Sequence, residues 1–196
     1  WYELDADGKI TISKDNDKTS FINATASKKI KIVPTITNAT AAGFDSQRVS
    51  KMIKDSEESV SNFVDIAIRN NYSGWDLDLE EVSAKDKTKY NEFISLLADE
   101  LHKNKLTLSV TVHAQTGKDD WSGTKGQDLE SIGNSADFVR VMAYDYHNTE
   151  SEAGPITPTS YLIDTIKYTK EKIETKKIVM CLPTYGYDWA KKVVTP

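Results

Sequence analysis

One stretch constrains this chain more than any other: Tyr72-Ser73-Gly74-Trp75-Asp76-Leu77-Asp78-Leu79-Glu80-Glu81. Acidic and apolar residues alternate in it, with Asp76, Asp78 and Glu80 at one parity and Trp75, Leu77 and Leu79 at the other. A period of two belongs to a strand, whose successive side chains point to opposite sides. The apolar parity is then expected to pack under helices, and the acidic parity to direct three carboxylates into a shared interior. Alternate residues on a strand sit about 6.5–7 Å apart. At that spacing, away from water, the carboxylates cannot all ionise without strong repulsion. A sequence bears that cost mainly where the acids do chemistry or bind a metal. The plainer reading is a half-exposed strand with its acids on the wet face. It is weakened because no lysine alternates with the acids.

A length of 196 residues fits one domain with a sizeable core. The hydrophobic content of 38% is that of a globular chain, and no apolar run approaches the length of a membrane span. Membrane insertion is therefore not expected. The net charge of −5 is spread along the chain, without a basic patch interleaved with aromatics, which speaks against a nucleic-acid partner. Arg48, Arg69 and Arg140 are the only arginines. Cys181 is the only cysteine, so no disulfide forms within the chain and no Cys/His metal pattern exists. Inside its apolar run it reads as a small buried hydrophobe. No signal peptide is visible, and Trp1-Tyr2-Glu3-Leu4 reads as the middle of a strand.

In chain order, Asp5-Ala6-Asp7-Gly8 signals a turn between two short strands. Residues 14–18 read as a polar loop, and residues 21–29 carry weak helical signals. Residues 29–37 read as a β-branched strand that Pro34 ends or bulges. Asp45 or Ser46 caps a helix carrying Val49, Met52 and Ile53 on one side. A second helix is expected over 55–71, with Val60, Phe63, Val64, Ala67 and Ile68 on its apolar face. After the acidic strand comes a helix over 88–104, with Tyr90, Phe93, Ile94, Leu97 and Leu101 inward. Strands are expected over 106–114, 137–145 and 177–183, a short helix over 127–132 and a longer one over 160–173.

From residue 29 onward strand and helix alternate, which implies parallel strands with helical crossovers, an α/β sheet or barrel. No glycine-rich nucleotide signature is present. In a (β/α) barrel the chemistry sits at the C-terminal ends of the strands. Glu80, Tyr144, Asp145 and Tyr185 all fall at such ends. His113 ends a strand too, but a lone histidine is more often structural and is left out of the expected site.

These residues resemble a known family. Gly74-Trp75-Asp76-Leu77-Asp78-Leu79-Glu80 is similar to the D-G-x-D-x-D-x-E signature of glycoside hydrolase family 18, the chitinase-like glycosidases. Met142-Ala143-Tyr144-Asp145 resembles that family's M-x-Y-D strand, and Leu182-Pro183-Thr184-Tyr185-Gly186 its L-P-x-Y-G strand. The three occur in the family's order, and the resemblance covers nearly the whole chain. Residues 144–147, 154–158 and 186–189 look closest to bacterial exported, cell-wall or spore-associated members, which implies an extracellular or cell-envelope location. Ser73 departs from the pattern, standing where the family has its first Asp. The resemblance implies a (β/α)8 TIM barrel, with residues 1–196 supplying a partial catalytic domain that lacks the first and last strands. A barrel has no free edges, so such a remnant is expected to self-associate and to be weakly active or inactive.

By the resemblance the substrate is a polysaccharide containing N-acetylglucosamine, chitin or peptidoglycan. With the acids along one strand, the route implied is substrate-assisted and retaining, and family 18 is a known exception to the two-carboxylate scheme. Glu80 would protonate the glycosidic oxygen, Asp78 would bond the acetamido N–H, and Asp76 would share a proton with Asp78. Tyr144 would hold the acetamido carbonyl, with Asp145 in support. Met142 and Tyr185 would line the floor and Trp189 would stack on a sugar face; core packing is the plainer reading of the aromatics, and it explains Met142 and Trp189 as readily as a ligand role does. No metal and no cofactor is expected. Two other classes stay open at this point: a Mg²⁺ site on the three acids for phosphoryl chemistry, and a non-catalytic carbohydrate-binding protein on a chitinase-like fold.

Overall fold

In the computed structural model, which describes residues 1–12, 24, 25, 28, 30–118 and 120–189, Trp75, Leu77 and Leu79 are fully buried on one side of a central sheet. The strands are β1 (Tyr2–Leu4), β2 (Ile10–Ile12), β3 (Thr35–Thr37), β4 (Ala39–Thr40), β5 (Gly43–Phe44), β6 (Gly74–Asp78), β7 (Thr107–His113), β8 (Phe138–Met142) and β9 (Ile178–Cys181). The order in the main sheet is β2-β1-β3-β6-β7-β8-β9, and β4 and β5 form a separate small hairpin. All neighbours in the main sheet run parallel except β1 and β2. The fold is therefore α/β with a parallel sheet. Among the described residues β2 and β9 each have a neighbour on one side only, so the strands do not close into a barrel.

The helices are α1 (Ser46–Met52), α2 (Ser56–Arg69), α3 (Lys87–Lys103), α4 (Leu129–Ser135) and α5 (Thr159–Lys172). Asp45 caps α1 by accepting from Gln47 N–H, and Asp128 caps α4 by accepting from Ser131 N–H. Tyr90, Phe93, Ile94, Leu97 and Leu101 of α3 are all fully buried, as the helical period requires. They pack with Leu108, Val110 and Val112 of β7 in one core. Trp75 anchors the same core. Its indole N–H donates to Phe63 O at 2.9 Å. The rings of Phe63 and Tyr2 meet it edge-on at 5.1 and 4.9 Å.

Several expectations shift. β3 is shorter than residues 29–37, because Pro34 has no N–H to give the ladder; its carbonyl still accepts from Asp76 N–H at 2.9 Å. Ile68 does not join the apolar face of α2 and is 55% exposed. The helix ends there with Asn71 at φ 53°, and Tyr72 N–H bonds Ala67 O. Cys181 is half-buried rather than buried, because it lies on the opposite side of the sheet from Met180, which packs on the core. The 39–44 hairpin has no counterpart among the expected strands. The polar loop over 14–18 and most of the segment over 21–29 lie outside the described residues.

Gly74 opens β6 beside Thr107 of β7. A Cβ there would stand 2.1 Å from Thr107 O, a backbone atom that cannot swing away. Gly74→Ala is expected to destabilise the protein by about 2 kcal/mol or more, lowering the melting temperature by roughly 4–8 °C. A thermal melt checks this; an unchanged midpoint would contradict the close approach.

Candidate active site

The face of the sheet opposite the core is polar. Parallel register places Thr35 beside Asp76 and Thr37 beside Asp78 on one flank, and Ser109 beside Asp76 on the other. Farther along the sheet, Thr111 lies beside Arg140 and His113 beside Met142, and Met142 lies beside Cys181. Asp76 is 3% exposed. It accepts from Thr35 Oγ1 at 3.2 Å and from Thr111 Oγ1 at 3.3 Å, and Arg140 Nη1 stands 3.9 Å from it. The deepest acid thus has hydroxyl donors and a nearby cation to offset its charge.

Asp78, one step outward, is less well served. Its Oδ1 is buried with no hydrogen-bond partner. Burial, then the charges of Glu80 and Asp76, push its carboxyl up to about 6, against partial relief from His113 and Arg140. The middle carboxyl of the ladder is thus pushed toward protonation by its surroundings.

Glu80 lies just past the end of β6, so the sheet ladder does not hold it. Asn38, fully buried, does. Its amide donates to Glu80 O and its carbonyl oxygen accepts from Glu80 N–H, both at 2.9 Å. From the other side Gln127 donates to Leu79 O at 3.3 Å and accepts from His113 N–H at 3.0 Å. The carboxyl of Glu80 comes within 3.0 Å of His113 Nε2. Sequence reasoning missed Asn38 and Gln127 and set His113 aside.

The loop after β8 supplies the rest. Met142 is buried at the strand's end. The Tyr144 hydroxyl is pushed up to about 12, by burial first and then by Asp78. Asp145 takes a left-handed backbone conformation at φ 56°. Its Oδ1 accepts from Tyr185 Oη at 2.6 Å and from Tyr187 Oη at 3.0 Å. Tyr144 and Tyr185 meet edge-on at 6.4 Å. Trp189 is tied to the same loop, its indole N–H donating to Asn148 O at 3.1 Å. A cleft of about 660 Å³ opens from His113, Met142, Tyr144 and Asp145 toward Trp121 and Tyr161. Among the described residues, no three His, Cys, Asp or Glu side chains converge in a group that could hold a metal ion.

The model of the Glycosyl hydrolases family 18 matches residues 2–194. The chain belongs to this family. It is 31% identical over 191 residues to a Bacillus subtilis protein named sporulation-specific glycosylase YdhD, covering 96% of this chain and 45% of that protein. It is 26% identical over 196 residues to the cortical fragment-lytic enzyme of Bacillus anthracis, covering 96% and 44% respectively. Its structure resembles that of a chitinase from Chromobacterium violaceum with a TM-score of 0.90 at 28% identity, covering 96% of this chain and 60% of the other. The chain thus spans about half the length of the curated relatives it matches.

In this family 18 chain the raised Asp78 makes stability pH-dependent. Its folded value of about 6 lies above the ordinary 3.8 of an unfolded aspartate, so the folded state binds the proton more tightly. Its contribution is fully present below about pH 4 and is lost as pH rises through about 6. Asp78→Asn is therefore expected to gain stability relative to wild type between pH 4 and pH 7, by up to about 2 kcal/mol. Denaturant unfolding at both pH values checks this. A difference independent of pH would contradict it.

Proposed function

We propose that the protein is a glycosidase acting on a polysaccharide that contains N-acetylglucosamine, by a substrate-assisted retaining mechanism. The observation that carries the reading is Asp78: a buried, unpartnered carboxyl oxygen between a hydrogen-bonded Asp76 and a Glu80 held by its backbone. An acetamido N–H is the donor that such an oxygen lacks. Glu80 protonates the glycosidic oxygen, and the bond from that oxygen to the anomeric carbon breaks. The sugar's acetamido carbonyl oxygen attacks the same carbon and forms an oxazolinium ion, which Asp78 stabilises as a carboxylate. Water then adds from the vacated side as Glu80 takes its proton, and the product keeps its configuration.

Tyr144, beside Asp78 and kept protonated by burial, donates to the acetamido oxygen and orients it for attack. Asp145 and Tyr185 hold the loop that presents Tyr144, and Met142 floors the site. Trp189 takes a part in sugar binding through the loop it braces. The six parallel strands are read as the middle of a (β/α)8 barrel, with residues 1–196 its partial catalytic domain. Relatives named as a sporulation-specific glycosylase and a cortical fragment-lytic enzyme support peptidoglycan as the polymer, and the chitinase likeness supports chitin. The same relatives support an extracellular or spore-associated setting.

Glu80→Gln is expected to lower kcat on soluble chitooligosaccharides or on cortex fragments by roughly 10²–10⁴-fold, with KM little changed. NMR of the first product is expected to give the retained anomer. An inverted product, or a sugar ester on an Asp or Glu found by mass spectrometry, would overturn the mechanism. Near-normal turnover by Glu80→Gln would overturn the assignment of the acid.

A further inference from the structure

β7 runs polar at every second residue, and its last position is His113. The parallel register pairs Asp76 with Ser109. Continued by four residues on each strand, it brings Glu80 level with His113. The side chains do meet there, with His113 Nε2 3.0 Å from Glu80 Oε2 and the two side chains only 18% and 12% exposed. Nε2 is otherwise without a hydrogen-bond partner, and its contact with the carboxyl is close but not aligned as a hydrogen bond. Among the described residues no other Lys, Arg or His lies within ion-pair distance of Glu80; Arg140 reaches Asp76 instead.

His113 is held at its main chain and at its ring. Its backbone N–H donates to Gln127 Oε1, and the ring meets Trp121 edge-on at 4.9 Å and 85°. Gln127 also bonds Leu79 O, so one buried amide fixes the main chain beside both members of the pair. A ring placed this firmly, with a buried nitrogen facing a single carboxylate oxygen, is more than packing requires.

We propose that His113 is a positioning residue for Glu80. This rests on the glycosidase reading above. When a sugar binds, a small turn of the ring aligns Nε2–H with Oε2 of Glu80 and leaves the other oxygen, Oε1, to face the glycosidic bond. Oε1 carries the proton that goes to the glycosidic oxygen. The carboxylate left behind keeps the His113 hydrogen bond until it takes a proton from the attacking water. The imidazole exchanges no proton in either step. Its contribution is direction before transfer and stabilisation of the anion after it.

The test compares three variants of the full-length gene product with wild type on a soluble chitooligosaccharide. His113→Phe keeps a ring against Trp121 but has no donor. His113→Gln places an amide N–H near the position of Nε2. Glu80→Gln is the control for the underlying reaction. His113→Phe is expected to lose about 10-fold or more in kcat with KM and melting temperature little changed, and His113→Gln to recover most of that loss. A His113→Phe enzyme with wild-type kcat, or Phe and Gln variants equally impaired, would overturn the inference. A wild-type protein without hydrolysis would overturn the glycosidase reading and this inference with it, and a fully active Glu80→Gln would overturn the assignment of the acid and this inference with it. Loss of turnover in Glu80→Gln alone would overturn only the role of His113.

Discussion

Two sides of one strand must face opposite surroundings, and the rest of the structure follows from that. Trp75, Leu77 and Leu79 are driven beneath the helices because burying three large apolar side chains outweighs what the charged neighbours lose. Asp76 and Asp78 then have only the other side to occupy. Trp75 adds direction to this drive. Its N–H to Phe63 O and its edge-on contacts with Phe63 and Tyr2 tie β6 to both α2 and β1. With the apolar side locked, a slip of one residue would exchange the core for the acids, so the register of the ladder is strongly specified.

The acids then differ by depth. Asp76 meets hydroxyls from both flanking strands and has Arg140 nearby, so its burial is compensated. Asp78 keeps an oxygen with no donor and is pushed toward protonation. Glu80, past the last ladder bond, owes its place to Asn38 and Gln127. A buried side-chain amide that mimics a strand partner costs the loss of a donor and an acceptor if removed. One such amide holds Glu80 itself and the other holds its neighbours Leu79 and His113, an arrangement that is economical only if the position of Glu80 matters. The loop after β8 repeats the pattern, with a left-handed Asp145 held by two tyrosine hydroxyls.

Much of this was legible in the chain because it is periodic. The alternation at 75–80, the inward face of α3 and the crossovers all repeat at the spacing of their backbone. What was not legible is what depends on distant pairs. Asn38 meets Glu80 across 42 residues and Gln127 meets Leu79 across 48, and neither amide carries a local signal. His113 was within reach: counting equal steps along β6 and β7 from a shared register sets it beside Glu80. A single histidine gave no reason to count. Ile68 went astray for a different reason, since a helix at its last turn no longer buries the full stripe its period predicts.

The account stands on the polar face being shaped for an N-acetylated sugar. The most direct measurement is a crystal structure of the Glu80→Gln variant with an N-acetylglucosamine oligomer. The account predicts one sugar with its acetamido N–H on Asp78, its acetamido oxygen toward the Tyr144 hydroxyl and its glycosidic oxygen within hydrogen-bond distance of residue 80. An oligomer bound elsewhere, or an acetamido group that leaves Asp78 unpartnered, would contradict it.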